Sequence, residues 1–364
     1  MSVPVIKFNL KDRPEFQKVL RKRVNQYFKE NDINKFGNID MYIKSVFMLA
    51  LYLVPMVLML TQVVVGLWPI MAMWAIMGFG IAGIGLSIMH DANHGAYSQD
   101  QKVNNTMGFV LNLIGGYPAN WRIQHNVLHH SFTNIEGFDE DIKKGALVRF
   151  SPFQPRFFMH RFQVIYAPIF YGILTLVWVI GKDLDQLLRY KKMGLLEGQK
   201  LTFWKAFFEI TFHKIWYLAI FVGLPLYLID LPVYQIILGF VLMHFIAGMI
   251  LALIFQTAHV IEETAFFEPD DTGSVENNFF IHQLRTTANY ANGGRWFSWF
   301  VGGLNYQVEH HLFPTICHVH YHKISKIVKE TAAEYGIPYH EHKTFYGALK
   351  SHFSLLYRLG VGKI

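Results

Sequence analysis

Eighteen histidines and one cysteine, Cys317, bound the chemistry open to this chain of 364 residues. One cysteine cannot build a thiolate zinc or iron–sulfur site, so a bound metal must be held by nitrogen and oxygen. The histidines gather in three clusters: His90-Asp91-Ala92-Asn93-His94, His125-Asn126-Val127-Leu128-His129-His130 and Gln307-Val308-Glu309-His310-His311. Residues four apart share one face of a helix. His90 with His94, His125 with His129, and Gln307 with His311 can therefore each aim at one point. His130 and His310 add ligands turned by ~100° from their neighbours.

Imidazole suits iron, zinc, copper and nickel. Seven clustered histidines are too many for one ion and suit two. The chain has no His-Glu-x-x-His, which argues against a zinc protease, and no repeated Glu-x-x-His pair of the soluble di-iron bundles. His259 closes an apolar run at the depth expected for His90 and is read as an eighth ligand, because an ionisable group there is costly and usually functional. His244, near the middle of that run, is read as a neutral, hydrogen-bonded histidine. His318, His320 and His322 are read as solvated or packing side chains.

Elements that carry these clusters must be membrane helices. Apolar residues make up 52% of the chain and charged ones 16%, against roughly 25% charged in an average globular protein. Disorder is excluded and an ordinary soluble enzyme is disfavoured. Runs at 45–66, 69–89, 213–229 and 233–257 are long enough to span. Lysines and arginines crowd residues 7–44 and 182–205 and are absent from the turns 66–69 and 230–233. Basic segments stay in the cytoplasm. This predicts an all-α integral membrane fold with four transmembrane helices in two hairpins, and with the His-rich dinuclear site in a cytoplasmic helical cap. Both ends of the run at 162–180 then lie inside, so it is read as interfacial. The expected organisation is a cytoplasmic amphipathic segment at 1–44, a catalytic domain at 45–357 and a tail at 358–364.

Within residues 1–44, Phe16, Val19, Leu20, Tyr27 and Phe28 recur at helical spacing, either as a membrane-surface helix or as a packing helix of the cap. The net charge of +7 suits anionic lipid or an acidic redox partner. Topology accounts for the basic residues, so no nucleic acid is implied. Gly78-Phe79-Gly80-Ile81-Ala82-Gly83 matches a dinucleotide fingerprint but lies in an uncharged span, where small residues serve helix packing.

The three clusters resemble the boxes of the membrane fatty acid desaturase superfamily. The likeness extends through His129-His130-Ser131-Phe132-Thr133-Asn134 into Asp139-Glu140-Asp141-Ile142, and through Gly302-Gly303-Leu304-Asn305-Tyr306-Gln307 to His311-Leu312-Phe313-Pro314. Gln307 in place of a more usual histidine resembles the front-end acyl desaturases. The resemblance implies two iron ions, O₂ as co-substrate, and a long acyl substrate linked to CoA or phospholipid. It implies ligands at His90, His94, His125, His129, His130, His310 and His311, with His259 and Gln307 as further candidates. Asp91, Asn134, Asp139 and Asp141 are expected to hold the second nitrogen of ligating histidines, and Asn120 and Trp121 to line the acyl tunnel. No His-Pro-Gly-Gly haem motif is present, so electrons are expected from a separate ferredoxin or cytochrome b5. The expected location is a bacterial cell membrane with the site on the cytoplasmic face. A hydroxylase or ketolase of the same superfamily is the nearest rival. A metal or cation transporter is the rival from another class, and it would need polar spans.

Overall fold

The computed structural model describes residues 6–143 and 147–364. Four helices among them are long and apolar enough to cross a bilayer: Ile39–Leu60, Leu67–Asn93, Phe203–Leu228 and Val233–His259. They form the two expected hairpins. Asn38 caps the first, its side-chain oxygen accepting from the amides of Asp40 and Met41.

The third span differs from the expectation in where it begins. It starts at Phe203, ten residues before the predicted 213, with Thr202 as its N-cap. Lys205 and Glu209 in the added residues hid this from a hydropathy reading, and the predicted run opens beside Lys214. Its ammonium is paired with Asp183 and donates to the carbonyls of Gly115 and Trp178, each at 2.6 Å, so the charge is compensated inside the fold. The second span also runs past the predicted 89 to Asn93 and carries His90 in its last turn.

The second and fourth spans lie side by side and run in the same direction. Trp74 packs on Gly239, Gly78 on Met243 and Gly85 on Leu251. That parallel register brings His90 and His259 to the same end of the bundle. Side chains are excluded at the closest approaches: a Cβ on Gly78 would stand 2.6 Å from the Met243 carbonyl, and one on Gly80 2.8 Å from Tyr52 Cα. The glycine-rich fingerprint is therefore a helix-packing face. His244 sits within the bundle, its ring nitrogens 3.0 Å from Tyr217 Oη and 3.0 Å from Thr175 Oγ1, hydrogen-bonded as expected.

The run at 162–180 is not one straight helix. It is divided between Phe158–Gly172 and Leu174–Lys192, which meet at 55°. Ile165, Ile169 and Ile180 point outward and are exposed, while Tyr171, Thr175 and Val179 are buried. The N-terminal helix Pro14–Glu30 buries Phe16, Leu20 and Val24 in a core shared with Ile324 and Val328 of the helix Tyr321–Glu334. Arg23 forms a two-pronged bond to Glu334, both contacts 2.8 Å. Of the two readings of this segment, these contacts are those of a packing helix. Two short parallel strand pairs, Lys7–Phe8 with Ser274–Val275 and Ala288–Tyr290 with His340–His342, tie the cap together.

Candidate metal centre

Three local structures deliver the histidine clusters. His90 ends the second span and His94 caps it. His125 and His129 lie on a π-helical stretch, Arg122–His129, wider than the α-helix that their spacing suggested. In a π turn residues five apart align, so His130 joins His125, their Nε2 atoms 3.2 Å apart. Such turns recur at functional sites. His310 and His311 lie on the short helix Gln307–Leu312, and His259 is the last residue of the fourth span.

These side chains converge as two sets. Ring nitrogens of His90, His94, His125 and His310 all lie within 4.8 Å of one another, and so do those of His129, His259 and His311. His130 stands between the sets, grouped with His310 and His311. Two nitrogens bound to one ion at ~2.1 Å are at most ~4.2 Å apart, so each set is close to the spacing one ion demands.

The orientation of the rings tests the fit. His129 Nδ1 donates to Asp139 at 3.0 Å, His311 Nδ1 to Gln283 Oε1 at 2.8 Å, and His259 Nδ1 to the Thr286 carbonyl at 3.2 Å. His310 Nδ1 lies 3.2 Å from the Tyr321 hydroxyl. A hydrogen bond at Nδ1 fixes the tautomer and presents Nε2 as a lone pair. The Nε2 atoms of His90, His94 and His311 are buried without a hydrogen-bond partner among the described residues. An orphaned buried acceptor costs free energy unless something binds it. Burial and the neighbouring imidazoles push His94, His130, His310 and His311 well below the usual range, and burial pushes His125 down to about 3. The neutral imidazole that results is the form that ligates a metal. Burial also pushes the Glu309 carboxyl up to about 8, although Asn289 and Tyr339 both donate to it.

The carboxylates behave unequally. Asp139 is held by the amides of Asn134 and Asp141 at 2.9 and 2.8 Å while it receives His129. Asp141 lies farther off, 3.9 Å from His125 Nδ1 and 3.7 Å from His129 Nδ1. Asp91 touches His90 at 3.4 Å but binds His318 Nδ1 more closely, at 2.7 Å. Asn134 departs from the expectation: its amide donates to the main-chain carbonyls of His259 and Ala265 and reaches no imidazole. Of the two forms expected of His318, solvated or packing, it takes the second. It is buried between Asp91 and the Lys44 ammonium, 2.5 Å from its Nε2, and is not solvated. Gln283 and Tyr321 were missed because nothing in the sequence marks them and only packing brings them to the rings, and His318 was noticed without its partner Asp91.

A cavity of about 370 Å³ reaches this centre. Its walls are mainly apolar, from Leu86, Leu251, Phe255 and Leu174 among others, and His90, His125 and Gln307 line it. Trp121 also lines it, its ring 4.5 Å from that of His125. Asn120, expected beside it, does not: its amide is turned away to the Asp183 carbonyl at 2.7 Å. Gln307 Oε1 is buried with no hydrogen-bond partner among the described residues.

The sequence model described as Fatty acid desaturase matches residues 66–343. The chain is 35% identical to an sn-1 linoleoyl-lipid 6-desaturase of Arthrospira platensis, over 95% of this chain and 93% of that protein. It is 33% identical to an sn-1 linoleoyl-lipid 6-desaturase of Synechocystis sp., over 95% of each. It is 37% identical to an acyl-lipid (8-3)-desaturase of Physcomitrium patens, over 96% of this chain and 72% of that protein.

Proposed function

The chain belongs to the fatty acid desaturase family and is an oxidoreductase; from that premise we propose that it is an O₂-dependent front-end acyl-lipid desaturase. The substrate is a linoleoyl-type acyl group esterified in a membrane lipid, and the new cis double bond lies on the carboxyl side of those already present. The lipid-linked substrates named for its relatives support this choice. The observation that carries it is the pair of neutral imidazole sets at the end of an apolar cavity.

His90, His94, His125 and His310 would hold one iron ion and His129, His259 and His311 the other, and His130 lies within reach of both sets. Gln307 faces the space beside His259 and the cavity. When bound, the iron pair supplies the activation of O₂ that removal of hydrogen from an unactivated methylene requires. The chain's own part is positional. Leu86, Leu251 and Phe255 hold the acyl chain and exclude water, and Trp121 fixes its height beside His125. Errors of ~1 Å in such placement can cost about a hundredfold in rate. Asp139 and Gln283 keep His129 and His311 from rotating.

Residues 45–357 act as one catalytic unit, with the metal centre on the cytoplasmic face of a bacterial cell membrane. The bent pair Phe158–Gly172 and Leu174–Lys192 lies in the interface and walls the cavity. A separate protein delivers the two electrons. Lipid profiling of a host fed linoleate tests the reading: a new double bond toward the carboxyl end is expected. An added oxygen would transfer the chain to the hydroxylases. Metal analysis is expected to give two iron ions per chain, and zinc in their place would overturn the assignment.

A further inference from the structure

We propose that the first turn of the helix Tyr321–Glu334, with the adjoining end of the N-terminal helix, is the docking face for an acidic one-electron carrier protein, and that the electron enters through Tyr321 to His310. This rests on the desaturase reading, which needs two electrons from outside the chain for each double bond.

The segment from Cys317 to Lys323 lies over His310. Tyr321 is buried with its hydroxyl 3.2 Å from His310 Nδ1. The next two residues, His322 and Lys323, are exposed. One buried side chain thus separates solvent from a metal-binding ring. His318 in the same segment reaches Asp91 beside His90. His322 Nδ1 lies 3.0 Å from the Tyr306 hydroxyl, on the residue before Gln307.

Charge on this face has the wrong sign for the helix alone. A helix N-terminus is already positive and favours acidic side chains. This first turn carries none, and it holds His322 and Lys323, with exposed Lys326 one turn on. Lys29 and Lys35 are exposed beside it. Phe28 packs on His320, ring centres 5.2 Å apart, and the Cys317 amide donates to the Lys35 carbonyl at 2.9 Å. Glu30, Asp32 and, one turn beyond Lys326, Glu330 are exposed acidic groups near it, and Lys329 is engaged by Glu341. A stretch that is unfavourable for its own helix suits an acidic partner, which it would steer and orient.

The face is also separate from the substrate route. No residue between Cys317 and Lys329 lines the cavity, whose walls come from the spans, residues 121–182, Leu304 and Gln307. A carrier can therefore dock while an acyl group is bound. Each encounter oxidises the carrier by one electron. Two encounters and two protons from solvent, with the two hydrogens taken from the acyl chain, reduce one O₂ to two waters.

The test uses the full-length protein in detergent and a plant-type [2Fe–2S] ferredoxin as probe. Titration is expected to show saturable binding that weakens as salt rises. Lys323→Glu with Lys326→Glu weakens it by about tenfold or more, whereas Lys191→Glu with Lys192→Glu on the helix Leu174–Lys192 changes it by less than about twofold. Absence of saturable binding, no loss in the first pair, or equal loss in both pairs overturns the docking face. The route is read by stopped flow. Tyr321→Phe retains binding and slows ferredoxin oxidation severalfold, and an unchanged rate removes Tyr321 from it. Lipid profiles keep the two readings apart. A wild-type protein that makes the alkene while the first pair binds normally overturns only the docking face. One that makes none removes the desaturase reading itself.

Discussion

His130 and His310 are 180 residues apart in sequence, yet their Nε2 atoms stand 2.9 Å from each other. His130 also reaches His125, and its ring stacks on His311 with centres 4.2 Å apart. It is therefore the side chain that both histidine sets share. His130→Ala is expected to lower bound iron from two per chain to one or fewer and to abolish desaturation. Elemental analysis of the purified variant checks this; full metal content would place His130 outside the ligand set.

Asp139 holds His129 in the tautomer that leaves Nε2 for a metal. Outer-shell partners of this kind are typically worth 10–100-fold in metal affinity or activity. Asp139→Asn is expected to fall in that range, with the loss confined to the ion of His129, His259 and His311. Iron titration should show one site weakened and one retained. Equal weakening of both would mean that Asp139 braces the whole cap.

The histidines that converge were legible in the sequence, but the way they are held was not. His90 with His94 and His310 with His311 announce themselves by spacing, and an apolar run leads to His259. Tyr321 and Gln283 carry no periodic or motif signal, because only tertiary packing brings them to the rings, and the same packing pairs His318 with Asp91. The start of the third span was misplaced for a similar reason. Glu209 reads as a loop residue until its partner, the Tyr117 hydroxyl, is known. Local geometry also intervened: a four-residue spacing implies an α-helix, whereas the stretch Arg122–His129 is π-helical and pairs His125 with His130.

Parallel contact of the second and fourth spans sets His90 and His259 at one level, and Gly80 keeps the second span close to the first. Gly80→Leu forces a side chain into the Tyr52 backbone. Overpacking of this kind typically costs about 1–3 kcal/mol. The variant is expected to melt several degrees lower in detergent and to bind iron less well. An unchanged melting temperature would show that the spans separate without cost.

His352 and His282 are buried outside the spans and the ligand set, and burial pushes each down to about 4. His352 Nδ1 donates to the Val260 carbonyl at 2.7 Å, and its Nε2 lies 2.9 Å from the Tyr171 hydroxyl. The unfolded chain takes up protons below its ordinary histidine value of ~6.5, and the folded one does not. Stability is therefore full above pH ~6.5 and is lost as pH falls toward 4, by at most roughly 3 kcal/mol for each group. Melting curves should shift downward between pH 7 and 5. His352→Gln should flatten that slope, and an unaltered slope would assign the acid sensitivity elsewhere.

Ala252 lines the apolar cavity on the fourth span, one turn before Gln256 and well short of His259. Filling its place narrows the acyl route without removing a ligand. Ala252→Phe is expected to keep two iron ions per chain while losing most turnover of eighteen-carbon acyl groups, with shorter acyl groups less affected. The contrast with His130→Ala is the useful part, since one variant loses metal and the other loses only placement of the chain. Product profiles from hosts fed acyl chains of graded length, alongside iron analysis, decide it. If turnover falls equally for every length, or if the iron is lost, then this cavity is not the tunnel that presents the acyl chain to the centre.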